Sequence, residues 1–353
     1  MINNSAICIG VMSGTSLDGL DIAACSINSE NYSQSKIIVA KTIPYNNKIK
    51  DRLKSCYSND SRFLLSTNVW FGEFIANQVN DFIEENNIKP TLIASHGHTV
   101  FHSPQEGYTT QIGCGATIAA ITGITTICDF RSLDIALGGQ GAPLVPIGDQ
   151  LFYSEYDYCL NLGGIANISY NSDNKRVAFD ISPANIPLNY YSNKLGFNYD
   201  NNGELGKDGC FNKELFNELN KLDYYKLQPP KSMGIEWINK YFFPITESFD
   251  INEKNKLNTI YEHLAFVIST HLKNKNSRVL VTGGGAHNSF FIEKIEKYSE
   301  AKLVIPNKLT VDFKEAFVFA LLGYLRLKGD INTLSSVTGA KQNSCGGAIY
   351  NPL

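Results

Sequence analysis

A segment near the start of the chain combines glycine, hydroxyl and carboxylate residues at a spacing that suits phosphate binding. Residues 10–21 read Gly-Val-Met-Ser-Gly-Thr-Ser-Leu-Asp-Gly-Leu-Asp. Glycines let backbone N–H groups turn toward an anion, and the Ser and Thr hydroxyls add further donors. Asp18 and Asp21 supply carboxylates suited to Mg²⁺, directly or through water. The segment predicts a phosphate loop, and a plain Gly/Ser hairpin turn is the structural alternative.

The chain beyond this loop excludes a Walker A motif and supplies a second, similar turn. No Gly-Lys-Ser/Thr follows, and residues 21–27 continue as an apolar strand rather than a helix. Residues 162–167, Leu-Gly-Gly-Ile-Ala-Asn, form a matching turn in the second half. Alone this turn is weak evidence for phosphate binding. Paired with the first loop, it predicts two glycine hairpins that hold the phosphates of a nucleotide, and phosphoryl transfer depends mainly on such positioning.

Two further strand ends carry candidate groups. Asp180 follows an apolar strand beside the second turn, where it is placed as a general base toward a hydroxyl or a water. Its alternative role is to cap the next helix. Residues 281–288, Val-Thr-Gly-Gly-Gly-Ala-His-Asn, end another strand, and three glycines in a row allow close approach of a flat ligand such as adenosine.

Several charged residues and histidines allow more than one interpretation. Arg131 stands between carboxylates in the sequence, so it is either part of a structural ion pair or a substrate contact. His96, His98 and His102 have a spacing found among metal ligands, and a metal-dependent hydrolase would use His96 and His98. Glu315 lies in an otherwise apolar helical stretch and is either surface-facing or functional. Chemistry alone leaves these alternatives open.

The elements that must position these groups occur twice in a similar order. In the first half, three strands precede a long helix and a buried strand, over residues 6–12, 21–27, 37–43, 61–86 and 91–95. In the second half the same order covers residues 158–162, 165–170, 177–180, 256–274 and 278–282. This repeat predicts a duplicated α/β fold with a ligand cleft between two lobes. Helical stretches over residues 212–222 and 233–242, separated by two prolines, predict a helical insertion in the second lobe.

The predicted first lobe comprises residues 1–126 and 335–353, and the predicted second lobe comprises residues 127–334. The 353 residues are 43% apolar and 18% charged, as in an ordinary globular protein, and the net charge of −3 argues against a nucleic-acid surface. Residues 1–5 lack the basic start of a signal peptide, and no run is long enough to span a membrane. The eight cysteines are scattered, so we expect free thiols in a reducing cytoplasm.

Taken together, these segments resemble the anhydro-N-acetylmuramic acid kinase family, which shares the ATP-binding fold of actin, Hsp70 and hexokinase. The resemblance runs almost end to end and is carried by ten segments, at residues 10–21, 95–100, 111–123, 129–146, 161–169, 179–189, 229–237, 281–288, 312–322 and 336–340. It implies a duplicated actin-like (RNase H-like) α/β fold with an interlobe cleft. It also implies a cytoplasmic sugar kinase, in a subclass that is often dimeric, with neither a nucleic acid nor a membrane as partner.

The implied reaction uses ATP, Mg²⁺ and water to convert 1,6-anhydro-N-acetylmuramic acid to its 6-phosphate during recycling of cell-wall peptidoglycan. By resemblance, Asp180 is the base that takes a proton from water as the water attacks the anomeric carbon. The implied ATP contacts are Gly14, Thr15, Ser16, Leu17, Asp18, Gly19, Leu20, Asp21, Gly163, Gly164, Asn167, Gly283, Gly284, Gly285 and Asn288. The implied sugar contacts are Ser13, His96, Arg131, Asp134, Gln140 and Glu315, and Mg²⁺ is assigned to Asp18 and Asp21.

The chain departs from the family pattern at several positions. The family usually has Asp-Thr-Gly-Pro-Gly-Asn where residues 180–185 read Asp-Ile-Ser-Pro-Ala-Asn, which predicts extra side chains in the path of the phosphates. Gln is commoner than His98, Cys114 replaces an acidic or amide residue, and Asp149 stands in a segment that usually contains His. The altered turn motivates a second hypothesis, a non-catalytic ATP- or sugar-sensing protein. The retained Asp180 and Glu315 speak against it.

Overall fold

The chain divides into two units, and each is built around its own β-sheet. The computed structural model describes residues 5–352. Within them, the first unit runs to Phe152 and resumes at Phe313, and the second unit is Tyr153–Asp312. Residues 1–4 and residue 353, which belong to the predicted first lobe, lie outside the described residues, as does most of the segment inspected for a signal peptide.

The sheet of the first unit joins three antiparallel strands to parallel ones. Its strands within the described residues are β1 (Ser5–Ser13), β2 (Gly19–Asn28), β3 (Lys36–Pro44), β4 (Leu92–Ser103), β5 (Tyr108–Ile112), β6 (Thr126–Cys128) and β12 (Ala348–Tyr350). They lie in the order β12-β6-β4-β1-β2-β3, with β5 paired to β4. β1, β2 and β3 pair antiparallel, whereas β4 runs parallel to β1 and β6 runs parallel to β4.

The sheet of the second unit repeats this arrangement. Its strands within the described residues are β7 (Tyr158–Leu162), β8 (Ile165–Ser172), β9 (Lys175–Pro183), β10 (Arg278–Thr282) and β11 (Lys302–Val304). The order is β11-β10-β7-β8-β9, in which β7, β8 and β9 pair antiparallel and β10 and β11 are parallel additions. In both units, the first three strands pair antiparallel. The first of these strands also pairs with a parallel strand, which is β4 in the first unit and β10 in the second. The predicted duplicated actin-like α/β fold is confirmed.

Helices cover these sheets. In the first unit they are α1 (Asn47–Ser55), α2 (Ser61–Asn86), α3 (Gly115–Thr122), α4 (Ser132–Ala136), α5 (Pro146–Phe152) and α14 (Ser335–Thr338). In the second unit they are α6 (Asn185–Lys194), α7 (Glu204–Lys207), α8 (Lys213–Asn220), α9 (Ile235–Trp237), α10 (Phe243–Ser248), α11 (Glu253–Ser269) and α12 (Ser289–Tyr298), with a π-helical turn at Ile238–Phe242. The helix α13 (Lys308–Lys328) departs from helical φ/ψ at Phe313, where the division between the units falls.

The long helix α2 shows how local sequence sets these elements. The Asp60 side chain accepts a hydrogen bond from the backbone N–H of Phe63 and caps the first turn, and Asn87 ends the helix with φ of 48°. Its buried side chains recur at helical spacing, at Thr67, Phe71, Ile75, Ala76, Val79 and Phe82. The helix predicted over residues 61–86 is therefore confirmed, and so is the helical insertion of the second unit, which contains α8, α9 and the π-helical turn.

The units divide at different residues from the predicted lobes. Strand β6 spans the predicted boundary at residue 126 and pairs with β4, so the chain after it stays in the first unit. Helix α13 packs directly on β1, because a Cβ on Gly10 would overlap the carbonyl oxygen of Ala316. Residues 127–152 and 313–334 therefore belong to the first unit, although the sequence assigns them to the second lobe.

Two further observations concern the chain as a whole. None of the helices in residues 5–352 combines the length and apolar character that a membrane crossing requires. All eight cysteines lie in the described residues and are free thiols, and Cys8, Cys25, Cys56 and Cys159 are buried.

Candidate functional site

The candidate phosphate loop is the hairpin connection between β1 and β2. The Leu17 N–H donates to the Gly14 carbonyl at 3.2 Å, and Leu17, with φ of 59°, buries its side chain in the core of the first unit. Thr15 and Ser16, by contrast, are exposed. The buried Leu17 therefore anchors a turn whose hydroxyls face solvent, where an anion can reach them. The strand β2 after the loop confirms the predicted hairpin and the exclusion of a Walker A motif.

The two carboxylates near this loop have different surroundings. Asp18 is exposed, whereas Asp21 is partly buried and accepts a hydrogen bond through Oδ1 from Thr42 Oγ1 at 2.6 Å. Gly19 lies between them, and a Cβ there would stand 2.6 Å from the carbonyl oxygen of Ile43. Glycine at this position therefore lets β2 pair with β3 and carry Asp21 to the site. The chemistry of both carboxylates fits a hard cation such as Mg²⁺.

Ser13 belongs to a buried chain of three polar side chains. The Tyr45 hydroxyl donates to Ser13 Oγ at 2.8 Å, and Ser13 Oγ lies 3.2 Å from His98 Nδ1. Burial raises the pKa of Tyr45 and lowers the pKa of His98, so both side chains stay neutral at pH 7. Tyr45 donates to Ser13, and the tautomer of the neutral His98 ring sets which partner donates between Ser13 and Nδ1. The hydroxyl of Ser13 is engaged within the protein, and its predicted contact to the sugar stays a prediction.

Arg131 is held at both ends of its guanidinium. Nε and Nη2 donate to His96 Nε2 at 3.1 and 2.9 Å, and Nη1 donates to the carbonyl oxygen of Gly141 at 2.6 Å. A guanidinium has no acceptor, so Nε2 of His96 must accept and the ring is the neutral form with its proton on Nδ1. That Nδ1 lies 3.0 Å from the carbonyl oxygen of Gly97. Burial, followed by the charge of Arg131, holds the pKa of His96 well below its usual value.

Glu315 lies on α13 beside the point where this helix contacts β1. Its side chain is exposed, yet desolvation by the protein around it raises the pKa of its carboxyl. The guanidinium of Arg131 acts in the opposite direction, and the carboxylate of Asp21 raises the pKa further. Because these interactions fall off with distance, Glu315, Arg131 and Asp21 share one electrostatic environment in the first unit. Glu315 is therefore surface-facing, as one of its two alternatives states, and a functional role stays a prediction.

Lys314, the neighbour of Glu315, forms a buried ion pair. Its Nζ lies 2.6 Å from Asp149 Oδ1, with the two side chains 6% and 5% exposed. Asp149 is on α5, and Gly148 brings α5 against α13, because a Cβ there would collide with Val318. The pair therefore holds the part of α13 around Glu315 against α5 in the first unit. The sequence marks Asp149 only as a departure from a family pattern.

Asp134 organises the glycine-rich loop that follows Arg131. Its Oδ2 accepts from the Gly141 N–H at 2.8 Å, and its Oδ1 accepts from Thr338 Oγ1 at 2.7 Å. The side chain is 1% exposed, so both carboxylate oxygens are used inside the protein. Gln140, in the same loop, is exposed and its N–H donates to the Thr338 carbonyl at 2.9 Å. Of the two predicted sugar contacts, only Gln140 presents its side chain to solvent.

The second glycine turn ties the sheet of the second unit to α6. The carbonyl of Gly163 accepts from the Asn185 N–H at 3.0 Å, and the carbonyl of Gly164 accepts from the N–H groups of Ala184 and Ile186 at 2.9 and 3.2 Å. These bonds use N–H groups that helix starts otherwise leave unpaired. Asn167, predicted to contact ATP, lies on β8 opposite Asp180 of β9.

The residues at which this turn departs from the family pattern have buried side chains. Ile181 and Ala184 belong to the hydrophobic core of the second unit. Ser182 is fully buried, and its hydroxyl donates to the carbonyl of Pro183 at 2.9 Å. The side chains that replace the two family glycines are therefore enclosed in the protein, although the sequence predicts them in the path of the phosphates.

Asp180 is fixed by three hydrogen bonds within the second unit. Its Oδ2 accepts from the Met233 N–H at 2.8 Å, its N–H donates to the Lys231 carbonyl at 3.2 Å, and its carbonyl accepts from the Tyr224 hydroxyl at 2.9 Å. Burial raises its pKa, and the hydrogen bond from Met233 lowers it. Helix α6 begins at Asn185 without a side-chain cap, so the capping alternative for Asp180 is wrong.

The three glycines after β10 have separate roles. A Cβ on Gly283 would stand 2.7 Å from Asn161 Oδ1, and a Cβ on Gly285 would stand 2.7 Å from Leu162 Cβ, so both let the loop pack on β7. Gly284 is exposed, and the nearest atom to its Cβ position would be Asn185 Nδ2 at 3.6 Å. Packing therefore accounts for two of the glycines and leaves Gly284 as the one that a flat ligand can approach.

Asn288, also predicted to contact ATP, has a structural role at the end of this loop. Its Oδ1 accepts from the Phe291 N–H at 3.0 Å and caps α12, and its Nδ2 donates to the Tyr261 hydroxyl at 2.7 Å. The side chain is buried. Asn288 therefore joins the end of the loop to α12 and to Tyr261.

Comparison with known proteins identifies the family. The model of the family described as "Anhydro-N-acetylmuramic acid kinase" matches residues 6–352. The chain belongs to the anhydro-N-acetylmuramic acid kinase family. It is 31% identical to a protein of that name from Sulfurimonas denitrificans (97% of this chain, 98% of the relative) and 33% identical to one from Crocosphaera subtropica (98% and 99%). A third, from Francisella tularensis subsp. novicida, is 34% identical, with 97% and 98% covered.

For this member of the anhydro-N-acetylmuramic acid kinase family, the structure adds supporting residues that the sequence does not single out. They are Tyr45 beneath the first loop, Lys314 beside Glu315, and Tyr224 and Met233 around Asp180. Tyr45, Tyr224 and Met233 contact candidate residues that are distant in sequence, and Lys314 pairs with the distant Asp149, so periodicity and spacing carry no signal for these contacts. His96 and His98, considered as metal ligands, contact Arg131 and Ser13. In residues 5–352 no group of three or more His, Cys, Asp or Glu is arranged to hold a metal ion.

Proposed function

We propose that this chain is an ATP-dependent sugar kinase that converts 1,6-anhydro-N-acetylmuramic acid, with water, to N-acetylmuramic acid 6-phosphate in peptidoglycan recycling. The observation that carries the proposal is the family match over residues 6–352. The retained Asp180, Arg131 and Glu315, each in surroundings that suit its role, support it.

In the first unit, Arg131 and Glu315 are the proposed contacts to the sugar, joined by the exposed Gln140. The guanidinium of Arg131 is oriented by His96 and by the carbonyl of Gly141, so its other N–H groups donate in a fixed direction. A fixed guanidinium suits the carboxylate and ring oxygens of an acidic amino sugar. The polar side chains of Ser13, His96 and Asp134 bond to other protein groups. Their proposed role is to position the residues that contact the sugar.

ATP is the proposed phosphate donor, with Mg²⁺ as its cation. The exposed hydroxyls of Thr15 and Ser16 would donate to phosphate oxygens, and the exposed Gly284 would contact adenosine. Asp18, with Asp21 behind it, would hold Mg²⁺ directly or through water. The cation, when bound, neutralises phosphate charge during transfer.

In the second unit, Asp180 is the proposed base. It takes a proton from water while the water oxygen forms a bond to the anomeric carbon and the bond from that carbon to the bridging oxygen breaks. The released oxygen at position 6 then attacks the γ-phosphate, and ADP leaves. Burial raises the pKa of Asp180, which makes its ionised form a stronger base.

The proposal is tested by measuring ADP release with and without 1,6-anhydro-N-acetylmuramic acid at several Mg²⁺ concentrations, with mass spectrometry of the product. We expect sugar-dependent ADP release and a 6-phosphate that contains one oxygen from ¹⁸O-labelled water. Asp180→Asn should abolish turnover and leave nucleotide binding largely intact. Binding of ATP and sugar without ADP release would instead favour a sensing protein, and full activity of Asp180→Asn would remove Asp180 as base.

We also propose that the enzyme is a cytoplasmic homodimer, as the resemblance implies. Light scattering after size-exclusion chromatography tests the dimer, and fractionation of the producing cells tests the compartment. A monomer at all concentrations would contradict the first point.

A further inference from the structure

The strand β9 carries a bulge at the position that presents Asp180. Across the β8–β9 ladder, Ala166 faces Ser182 and Asn167 faces Asp180, so Ile181 is an extra residue without a partner. Ile181 is fully buried. A bulge of this kind turns the neighbouring side chain out of its regular direction and interrupts the ladder. Asp180 therefore needs support from outside the sheet.

That support comes from one segment of the helical insertion, residues 224–233, which we call the clamp segment. The backbone N–H of Asp180 donates to the carbonyl of Lys231, and the backbone carbonyl of Asp180 accepts from the hydroxyl of Tyr224. The side chain accepts from the N–H of Met233. The clamp segment thus satisfies the backbone groups of Asp180 and one of its carboxylate oxygens.

The clamp segment is itself well anchored. Tyr224 is 5% exposed, and its ring centroid lies 5.2 Å from that of Trp237. Lys231 Nζ lies 4.8 Å from the Tyr224 ring centroid and donates to the Tyr224 carbonyl at 3.3 Å. Such cation–π and aromatic contacts restrict the ring, so the hydroxyl of Tyr224 has a defined position.

The carboxylate of Asp180 is held asymmetrically. Oδ2 receives the Met233 N–H at 2.8 Å, and among the described residues none donates to Oδ1. We infer that the clamp segment is a positioning element, which fixes Asp180 through Tyr224 and Met233 so that Oδ1 takes the proton from the attacking water. This inference rests on the proposed function and assigns a specific oxygen and two residues to its first step.

The chemical step follows from this asymmetry. An oxygen that already accepts an N–H hydrogen bond has less electron density for a proton, so Oδ1 is the better acceptor. As the water oxygen bonds to the anomeric carbon, one water proton moves to Oδ1 and the hydroxyl stays on the sugar. The proton returns to solvent after ADP and product leave. Nothing in this step requires Tyr224 or Met233 to touch the sugar.

The inference is tested with Tyr224→Phe, which removes one hydroxyl, and with Tyr225→Phe as its matched control. The Tyr225 hydroxyl contacts His263 Nε2 at 3.0 Å, so the control loses a similar neutral hydrogen bond away from Asp180. We expect Tyr224→Phe to lower kcat about tenfold, with both KM values and the ADP affinity changed less than twofold. Tyr225→Phe should stay within twofold of the parent enzyme in all of these.

A second readout separates positioning from a structural effect. In an Asp180→Glu background the base is displaced by a methylene group, so removing the Tyr224 hydroxyl should change kcat less than twofold there. Equal kcat values for Tyr224→Phe and Tyr225→Phe, at equal melting temperatures, would overturn the inference and leave the proposed function intact. A parent enzyme that releases no ADP with the sugar would contradict the proposed function itself.

Discussion

The guanidinium of Arg131 donates twice to a single atom, Nε2 of His96, from Nε at 3.1 Å and from Nη2 at 2.9 Å. A protonated imidazole has no lone pair to accept these bonds, so His96 must be neutral. The neutral ring holds a cation in one orientation beside Glu315, and burial keeps its pKa low enough for this role at neutral pH.

This relationship predicts how two substitutions of His96 differ. His96→Leu removes the acceptor and leaves two guanidinium donors unpaired, so KM for the anhydro sugar should rise about tenfold, which corresponds to about 1.4 kcal/mol. KM for ATP should change less than twofold. His96→Gln keeps a side-chain acceptor and should retain sugar KM within about threefold. Steady-state kinetics on both variants checks the prediction, and equal sugar KM values for Leu and Gln would contradict it.

The pH dependence of activity follows from Asp180. Burial raises its pKa above the ordinary value of 3.8, and the base must be ionised to act. The rate should therefore be lost as pH falls through the raised pKa, and this acid limb should lie at higher pH than for an ordinary aspartate. We expect this acid limb in a profile of kcat/KM for the sugar, measured at saturating ATP from pH 4 to pH 9. A rate that stays constant down to pH 4 would show that the carboxylate does not limit turnover.

Much of the fold is predictable from the sequence because the elements have strong periodicity. The helix over residues 61–86 and the strands over residues 158–162 and 278–282 have the predicted bounds in the structure. The unit boundaries are not predictable in this way. They depend on long-range contacts, such as that of Gly10 with Ala316, which no local pattern encodes.

The candidate site shows the same contrast. Glycine, hydroxyl and carboxylate residues at strand ends mark Thr15, Asp18 and Asp180 directly in the sequence. The sequence does not separate residues that face a ligand from residues that hold the loops. Asp134 and Asn288 have polar side chains beside glycines, which suits ligand contact, but their polar atoms bond to the protein. Only the tertiary structure provides those partners.

The buried pair of Lys314 and Asp149 predicts a large effect on stability. Asp149→Asn leaves the Lys314 charge without its partner, and removing one member of a buried pair typically costs about 3–5 kcal/mol of unfolding free energy. Urea denaturation measures this cost. The combined change of Asp149→Leu with Lys314→Met should recover most of it, because no charge is left buried.

The control for this prediction is an exposed pair, Lys275 with Glu300, whose side chains are 72% and 70% exposed. Glu300→Gln should cost less than about 1 kcal/mol, because surface pairs are screened by solvent. A cost for Asp149→Asn no larger than that of this control would show that the buried pair is not needed to hold α13.

The glycines after β10 offer a test of nucleotide contact that is separate from folding. Gly284→Ala places a methyl group on the exposed side of the loop, where the nearest atom is 3.6 Å away, so stability should change by less than about 1 kcal/mol. KM for ATP should rise at least tenfold, because the methyl group occupies the surface that adenosine approaches.

Gly285→Ala should behave in the opposite way. Its methyl group would stand 2.7 Å from Leu162 Cβ inside the second unit, and overpacking of this kind typically costs about 1–3 kcal/mol. Thermal unfolding together with ATP titration of both variants distinguishes the two effects. If Gly284→Ala bound ATP as the parent does, the loop would not be the adenosine contact. Gly283 and Gly285 would then serve only the packing of the loop on β7, and the proposed nucleotide site would have to be assigned to other residues.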